Sequence, residues 1–218
     1  MRSRVLEVVA DFLWRHSGTL AQPTAQAARP YDHAVAIAFP DLQGSIVALR
    51  MFASEDPSWI QPACDRAEMA RFIPGLPSPY TVADAEAFVR YAKDAWEEGS
   101  SGPFAISATD GQQLGAVEVH LNPTDEGRAV VGYWLRPEGR GRGAATEAVR
   151  LVSTWAFDQI HIERLSLMTY PDNEASQRVA ERAGYKREGL LRAWYPTPLG
   201  RRDCVMFSLL PSDVSASG

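Results

Sequence analysis

The stretch from Ala129 to Phe157 constrains the fold more than any other part of this sequence. It begins with a β-branched and aromatic run, Ala129 to Leu135, which is typical of a strand and which Pro137 ends. Three glycines then follow in alternation with other residues: Gly139, Gly141 and Gly143. From Ala144 onward, apolar residues recur at helical spacing. The sequence therefore predicts a strand that passes through a glycine-rich turn into a helix.

Such a junction suits a phosphate group. Glycines let the backbone approach a ligand closely, and the free N–H groups at the start of a helix favour negative charge. Arg140 and Arg142 would add charged donors at the same place. The alternative interpretation is a flexible turn that carries two solvated arginines.

Two common phosphate-binding loops do not match these residues. The segment lacks the Gly-Lys-Ser/Thr of a P-loop. A dinucleotide-binding fold requires a third glycine, and the residues between Ala144 and Glu147 do not contain one. The run from Arg140 to Ala145 instead fits Q/R-x-x-G-x-G/A. With its preceding strand and following helix, it resembles the signature of the GNAT family of acyl-coenzyme A-dependent N-acyltransferases.

A second segment, Asn173 to Tyr185, resembles another signature of that family, N-x-x-S-x-x-(V/L)-x-x-x-x-G-(F/Y). Serine at its fourth position is typical of the subgroup related to the acetyltransferases of ribosomal-protein N-termini. The resemblance covers about residues 44 to 211 and includes three further segments: Ala48 to Arg50, Tyr133 to Leu135, and Arg202-Asp203. Asn173 also fits a helix N-cap and Gly184 the residue after the helix end, and both interpretations hold together.

The remaining pattern predicts an α+β fold in three layers. Seven segments are strand candidates: 45–52, 104–109, 114–121, 129–135, 165–170, 186–194 and 204–210. Two consecutive helices and then a meander differ from the alternation of a doubly wound sheet. We therefore expect a mixed, mostly antiparallel sheet of about seven strands flanked by helices. The resemblance implies that this sheet splays between its fourth and fifth strands.

The two early helices have clear start signals. The first is expected to begin at Asp56-Pro57, with Asp56 as its capping carboxylate. Its predicted buried face is Trp59, Ile60, Ala63, Ala67 and Ala70. Thr81 and Asp84 predict a capping box for the second helix, which Gly99 ends. These helices, with the loop from Trp194 to Gly200, are expected to form the acceptor site.

Composition shifts divide the chain. Residues 1–40 read as an N-terminal extension, a short helix followed by a linker, residues 41–211 as the acetyltransferase domain, and residues 212–218 as a tail. Glu7 and Asp11 argue against a secretion signal in the extension. Three roles are open for it: docking on the domain, pairing two subunits as a homodimer, or forming a poorly ordered tail.

Charge, hydropathy and cysteine content argue against several classes of partner. A formal net charge of −5 argues against nucleic acid, and no apolar run approaches the length of about 18 residues that spans a membrane. Cys64 and Cys204 have no ligand-like neighbours, so a reducing compartment is expected. We therefore expect a cytoplasmic protein.

The resemblance implies acetyl-coenzyme A as co-substrate and no metal. The pyrophosphate would lie on the amides of Gly141 to Thr146, and the pantetheine arm would run between the two splayed strands. Backbone groups near Trp134 and Leu135 would bind the arm and polarise the thioester carbonyl. The donor residues so implied are Trp134, Leu135, Arg140, Gly141, Arg142, Gly143, Ala144, Ala145, Thr146 and Asn173.

The acceptor amine must lose a proton, because an α-amine or a lysine is mostly charged at neutral pH. Alternation along Leu114 to Leu121 places Glu118 and His120 on one strand face, where they could share a water that takes the proton. Exposure of both side chains on the sheet surface is the alternative. Many family members carry a glutamate on the next strand, where this chain has Val130 and Val131, a departure that argues against direct base catalysis.

The leaving thiolate needs a stabilising donor. Many family members use a tyrosine at the position of Ala180, whereas Ser176 takes this role in the subgroup that the chain resembles. The alternative is that Ser176 packs on pantetheine without chemistry. The expected activity is acetyl transfer to a primary amine, preferably a protein N-terminal α-amine. A small amine (antibiotic, polyamine or amino acid) is the second acceptor class, and a non-catalytic acyl-coenzyme A-binding module is the alternative from another class.

Overall fold

The computed structural model describes residues 39–73, 75–121, 127–197 and 199–215; the predicted short helix and linker fall in residues 1–38 and lie outside these ranges. The strands are β1 (Leu42–Gln43), β2 (Val47–Arg50), β3 (Ser101–Ala108), β4 (Gln113–Leu121), β5 (Arg128–Leu135), β6 (Arg164–Thr169), β7 (Lys186–Thr197) and β8 (Gly200–Leu209). The helices are α1 (Pro57–Cys64), α2 (Ala67–Phe72), α3 (Val82–Glu98), α4 (Ala144–Gln159), α5 (Glu174–Arg182) and α6 (Pro211–Ser215), with a 3-10 turn at Pro137–Gly139.

The strands form one sheet in the order β1-β2-β3-β4-β5-β6-β8-β7. Every neighbouring pair is antiparallel except β5 and β6, which are parallel and joined by α4. The predicted α+β fold with a mixed, mostly antiparallel sheet is confirmed. The count differs by one strand, since the two-residue β1 pairs with β2 through Leu42 and Leu49 and is too short for a sequence signal.

The sheet opens between β5 and β6, as the resemblance implies. These strands pair only from Arg128–Arg164 to Val130–Ser166. Beyond that point β6 continues along β8, for example at Leu167–Phe207, while β5 continues along β4. The edge of β5 from Val131 to Leu135 therefore has no strand partner on the β6 side, and a gap forms in the middle of the sheet.

The two faces of β4 show how the layers are arranged. Val117 and Val119 belong to the main core together with Val149 of α4. Glu118 points to the opposite face, where Tyr91 of α3 contacts it. Helix α4 thus covers one face and α3 the other, as expected for a strand whose side chains alternate.

The first early helix differs from its prediction. The structure has two helices, because Asp65 leaves the helical conformation at ψ 44° and its carboxylate accepts a hydrogen bond from the backbone N–H of Tyr80. Ala67 and Ala70 are exposed, and Met69 is the buried residue of α2.

Asp56 lies at the predicted N-cap position before Pro57, but its carboxylate does not cap the helix. It is 1% exposed, and both of its carboxylate oxygens accept hydrogen bonds from the Arg50 guanidinium. This contact spans two elements, so the local pattern around Asp56 gives no sign of it. The capping box of Thr81 and Asp84 and the left-handed Gly99 at the end of α3 are confirmed.

The last described helix extends beyond residue 211, the predicted end of the domain. Helix α6 overlaps the predicted tail, and Asp213 in it pairs with Lys186 of β7.

Within the described ranges, no helix combines the length and apolar character needed to cross a membrane.

Glu147, in the first turn of α4, ties this helix to the turn before β2. One oxygen accepts hydrogen bonds from the N–H and hydroxyl of Ser45, and the other from the N–H groups of Ile46 and Val47. Burial raises the pKa of Glu147, but these hydrogen bonds outweigh it and hold the pKa below its ordinary value. The carboxylate therefore stabilises the edge of the sheet next to the glycine-rich turn.

We expect Glu147→Gln to lower the free energy of unfolding by about 1–3 kcal/mol at neutral pH, because three backbone donors lose a charged acceptor. The lowered pKa means that the stabilisation is complete above about pH 4.3 and is lost as the pH falls through that lowered pKa. Urea unfolding at several pH values measures it. Glu174→Gln is the matched control in the first turn of α5, where the exposed pair with Arg178 contributes little. Equal stability of Glu147→Gln and the unsubstituted protein would contradict this role.

Candidate active site

The glycine-rich turn presents a row of free backbone donors. Gly141 and Gly143 have φ angles of +75° and +86°, a region that favours glycine. Gly143 is the N-cap of the 16-residue helix α4 and offers no side-chain cap. Among the described residues, no acceptor receives a hydrogen bond from any amide between Gly141 and Thr146. The turn thus fits a diphosphate, which needs unpaired N–H groups at a helix N-terminus.

A cavity of about 580 Å³ extends from this turn along the gap between β5 and β6 to helices α1, α2 and α3. The predicted site residues that line it are Glu118, His120, Trp134, Leu135, Arg140, Gly141, Gly143, Ala144, Ala145, Thr146, Asn173 and Ser176. Arg142 is exposed and does not line the cavity. The fold thus brings the two signature segments and β4 to one opening.

Arg140 is held beside the turn by protein groups. Its Nε and Nη2 donate to the carbonyl oxygen of Leu135 at 3.2 and 3.0 Å, and Nη2 lies 3.0 Å from Glu68 of α2. The guanidinium lowers the pKa of Glu68. The carbonyl of Leu135, in the segment that the resemblance assigns to the donor, is thus already an acceptor for Arg140, and Glu68 is already paired with a cation.

Glu118 is fixed by two hydroxyl groups. Its Oε1 accepts hydrogen bonds from Tyr91 at 2.5 Å and from Ser101 at 2.6 Å, whereas no described residue donates to Oε2. Burial, and next the Glu118 carboxylate, raise the pKa of Tyr91 far above its ordinary value, so the phenol remains a donor. Gly132 lies opposite Glu118 on β5 and has no side chain to cover the carboxylate.

His120 lies next to Glu118 without bonding to it. Its Nδ1 is 3.3 Å from Oε1 of Glu118, but the geometry gives no hydrogen bond, and this buried nitrogen has no partner among the described residues. The two side chains thus share one pocket wall, and a water between them is compatible with this arrangement.

Ser176 is positioned from two sides. Asn173 caps α5 through Oδ1, which accepts from the N–H of Ser176 at 3.1 Å. The hydroxyl of Tyr133 donates to Oγ of Ser176 at 3.0 Å. Burial raises the pKa of Tyr133 to about 12, so it stays protonated at neutral pH. The Ser176 proton is therefore free to point into the cavity.

Tyr91, Ser101 and Tyr133 were missed from the sequence, although two of them had a usable signal. Tyr91 follows Phe88 by three positions and so belongs to the inner stripe of α3. Tyr133 shares a strand face with Val131, which is buried in the core. Neither pattern names the partner of its hydroxyl group.

The predicted acceptor loop is mostly strand. Thr197 pairs with Gly200, so β7 and β8 extend to a tight hairpin and the loop is far shorter than the expected stretch from Trp194 to Gly200. Tyr195 of β7 lines the cavity. Helices α1 and α2, which the sequence places at the acceptor site, contribute Ile60, Met69 and Phe72 to the cavity lining. In the described part of the chain, no three His, Cys, Asp or Glu side chains gather as metal ligands would.

Comparison with known proteins identifies the family. The model described as "Acetyltransferase (GNAT) domain" matches residues 47–186. The uncharacterized N-acetyltransferase YoaA of Bacillus subtilis is 26% identical over 157 residues, which are 72% of this chain and 88% of that protein. The spermidine N(1)-acetyltransferase of Escherichia coli K12 is 29% identical over 150 residues, 66% of this chain and 75% of that protein.

A solved structure agrees in fold. The ribosomal L7/L12 α-N-protein acetyltransferase RimL in complex with coenzyme A has a TM-score of 0.71 at 16% identity, covering 78% of this chain and 98% of that chain. At this identity the likeness shows the fold alone. Since the family model spans more than half of the sequence and the fold agrees with it, the chain belongs to the GNAT family and is an acetyl-coenzyme A-dependent N-acetyltransferase.

Proposed function

We propose that this enzyme acetylates an α-amine at a protein N-terminus. The observation that carries the proposal is the single cavity that joins the free amides of Gly141 to Thr146 with Glu118 and Ser176. The serine in the second signature, typical of the subgroup related to ribosomal-protein acetyltransferases, favours this acceptor class. The fold shared with RimL is compatible with it.

The donor would enter through the gap in the sheet. Amides at the start of α4 would hold the diphosphate, and the unpaired edge of β5 from Val131 to Leu135 would bind the pantetheine arm. Bound acetyl-coenzyme A supplies a thioester whose carbonyl carbon the amine attacks. Because Leu135 already bonds Arg140 through its carbonyl, the arm would use the other backbone groups of this edge.

The two proton-handling groups lie on opposite faces of the sheet. Glu118 is on the α3 face, whereas Tyr133, which holds Ser176, shares the opposite face with Val117. The amine would therefore approach from the α3 side and the thiol would leave towards α5. This arrangement separates the base from the thiolate. Glu118 would remove the proton of the amine on one face, and Ser176 would stabilise the negative charge of the sulfur on the other.

Glu118 would take the proton of the acceptor amine. Tyr91 and Ser101 hold Oε1, which leaves Oε2 to accept the proton directly or through a water beside His120. The nitrogen then forms its bond to the carbonyl carbon as the carbon–sulfur bond breaks. Ser176 would donate to the leaving sulfur, and the helix N-terminus of α5 would add positive potential there.

We expect Ser176→Ala to lower kcat about tenfold, the effect of losing one hydrogen bond of this kind to a developing charge. Tyr133→Phe should lower kcat by a similar or smaller factor, because the phenol acts by orienting Ser176. In the Ser176→Ala background, Tyr133→Phe should therefore have almost no effect. Steady-state rates of all four proteins measure this coupling, and fully additive losses would show that Tyr133 does not act through Ser176.

The experiment that tests the proposed function is release of free thiol from acetyl-coenzyme A, measured with a library of N-terminal peptides and a panel of small amines. Acceleration by peptides with a free α-amine, and none by the same peptides with a blocked N-terminus, supports the proposal. A response to small amines alone would assign the enzyme to the second acceptor class. Binding of coenzyme A without thiol release on any amine would indicate a regulatory module.

A further inference from the structure

The acceptor side of the cavity has an apolar wall on the α3 face of the sheet. Six side chains from α1, α2, α3 and the segment between them form it: Ile60, Met69, Phe72, Leu76, Tyr80 and Phe88. Ile60, Met69 and Tyr80 are at most 5% exposed, and Leu76 and Phe88 pack against the buried cluster that contains Ile60 and Tyr80. The wall therefore consists of large side chains already held in place by the core.

Protein groups already contact each carboxylate that lines the cavity. In the described ranges these are Glu68, Asp84 and Glu118. Glu68 pairs with Arg140 at 3.0 Å, and Asp84 accepts from both the N–H and the hydroxyl of Thr81 through Oδ2 as part of the α3 cap, without a cationic partner among the described residues. Glu118 keeps one free oxygen. Glu118 is thus the carboxylate on the sheet that can meet an amine, and a second cation would have to share Glu68 or Asp84 with the protein groups that already contact them.

These two features select for one kind of acceptor. A polyamine brings two or more ammonium groups, and those beyond the reacting nitrogen would lose hydration in the cavity and meet only carboxylates that protein groups already contact. An apolar side chain next to a single amine would instead be buried against the wall, which is favourable in proportion to the area removed from water. Both features therefore favour an acceptor with a single amine and an apolar side chain over a polyamine.

We propose that the region lined by these six residues, the apolar acceptor subsite, binds a large apolar side chain directly beside the reacting amine. The acceptor class is then an N-terminal α-amine whose first residue is Leu, Met or Phe. The proposal rests on the proposed function, because it assumes that the amine reacts next to Glu118. It goes further in naming the side chain that the enzyme selects.

The test compares kcat/KM for peptides that differ only in the first residue, with spermidine and phenylethylamine as small amines. Peptides that begin with Leu, Met or Phe should exceed those that begin with Gly, Ser or Asp about tenfold or more. The kcat/KM for phenylethylamine should likewise exceed that for spermidine. Equal rates across first residues, or faster reaction of spermidine, would overturn the subsite while leaving acetyl transfer itself established.

A change of charge in the wall sharpens the test. Leu76→Asp should reduce the rate with a peptide that begins with Leu and raise the rate with spermidine. Leu76→Asn should also reduce the rate with the peptide but should not raise the rate with spermidine. Leu190→Asp is the matched control, since Leu190 is 47% exposed on β7 and does not line the cavity. Coenzyme A affinity and melting temperature show that each variant is folded. An unchanged preference in a folded Leu76→Asp enzyme would overturn the proposal.

The outcomes separate this inference from the proposed function. If no peptide reacts but phenylethylamine reacts faster than spermidine, the protein N-terminus is the wrong acceptor and the apolar subsite stands. If peptides react without regard to the first residue, the N-terminal activity stands and the subsite is wrong. If no amine accelerates thiol release, both are overturned.

Discussion

Replacement of Glu118 by glutamine is expected to lower kcat/KM by about 100-fold or more, because a positioned general base contributes a factor of that size. The amide keeps the shape of the side chain and can still accept from Tyr91 and Ser101, but it cannot take a proton from the amine. Coenzyme A affinity should not change, since Glu118 lies on the acceptor face. Thiol release and calorimetry measure the two quantities separately.

Two comparisons make this result specific to Glu118. Glu97→Gln, on the exposed end of α3, should leave the rate unchanged, as its side chain is 64% exposed and pairs only with Lys93 among the described residues. His120→Asn should reduce the rate less than Glu118→Gln, because its unbonded Nδ1 can be only an indirect partner through water. A larger loss in His120→Asn would identify His120 as the base and contradict the assignment.

Gly143→Glu is expected to weaken coenzyme A binding by at least about 100-fold, through three effects at one position. The residue has a φ of +86°, where a side chain is strained, and its Cβ would lie 3.1 Å from Cδ1 of Ile46. The carboxylate would also occupy the place of the diphosphate at the start of α4. Titration calorimetry with coenzyme A measures the loss.

Matched variants separate these three effects. Gly111→Glu makes the same change at a φ of +88°, in an open turn between β3 and β4, and should leave the affinity unchanged. Gly143→Ala retains the strain and the contact but not the charge, so its loss should be smaller. Thermal unfolding should show all three proteins folded. Normal affinity in Gly143→Glu would refute the placement of the diphosphate.

Local features of the fold could be predicted well from the sequence. The strand, turn and helix between Ala129 and Phe157 are encoded by residues adjacent in the chain, and so is the capping box of Thr81 and Asp84. The mixed sheet follows from the order of these elements. The short β1 could not be predicted, because its pairing with β2 depends on a partner strand and not on its own two residues.

The contacts that shape the site are non-local, which is why the sequence did not indicate them. Asp56 resembles a helix cap in its local pattern, but Arg50 takes both of its oxygens in the folded chain. Tyr133 and Ser176 are 43 positions apart, and Tyr91 reaches Glu118 across two elements. A single sequence predicts which faces of a helix or strand are buried, whereas the partner of each hydroxyl depends on how those faces meet.

The structure also explains why Val130 and Val131 can stand where many family members carry a glutamate. Both side chains are buried, at 6% and 2% exposure, and a glutamate there would replace core packing. Val130 lies opposite His120 on β4, so the two strands are neighbours at this point. A carboxylate on β4 can therefore reach the same opening from the adjacent strand, as Glu118 does.

Amide NMR of the protein titrated with coenzyme A and, separately, with pantetheine tests the central claim most directly, since only coenzyme A carries the diphosphate. We expect the largest shifts with coenzyme A at the amides of Gly141 to Thr146, which have no acceptor among the described residues, and little change there with pantetheine. If coenzyme A binds while these amides keep their positions, the diphosphate lies elsewhere and the account of the site is wrong.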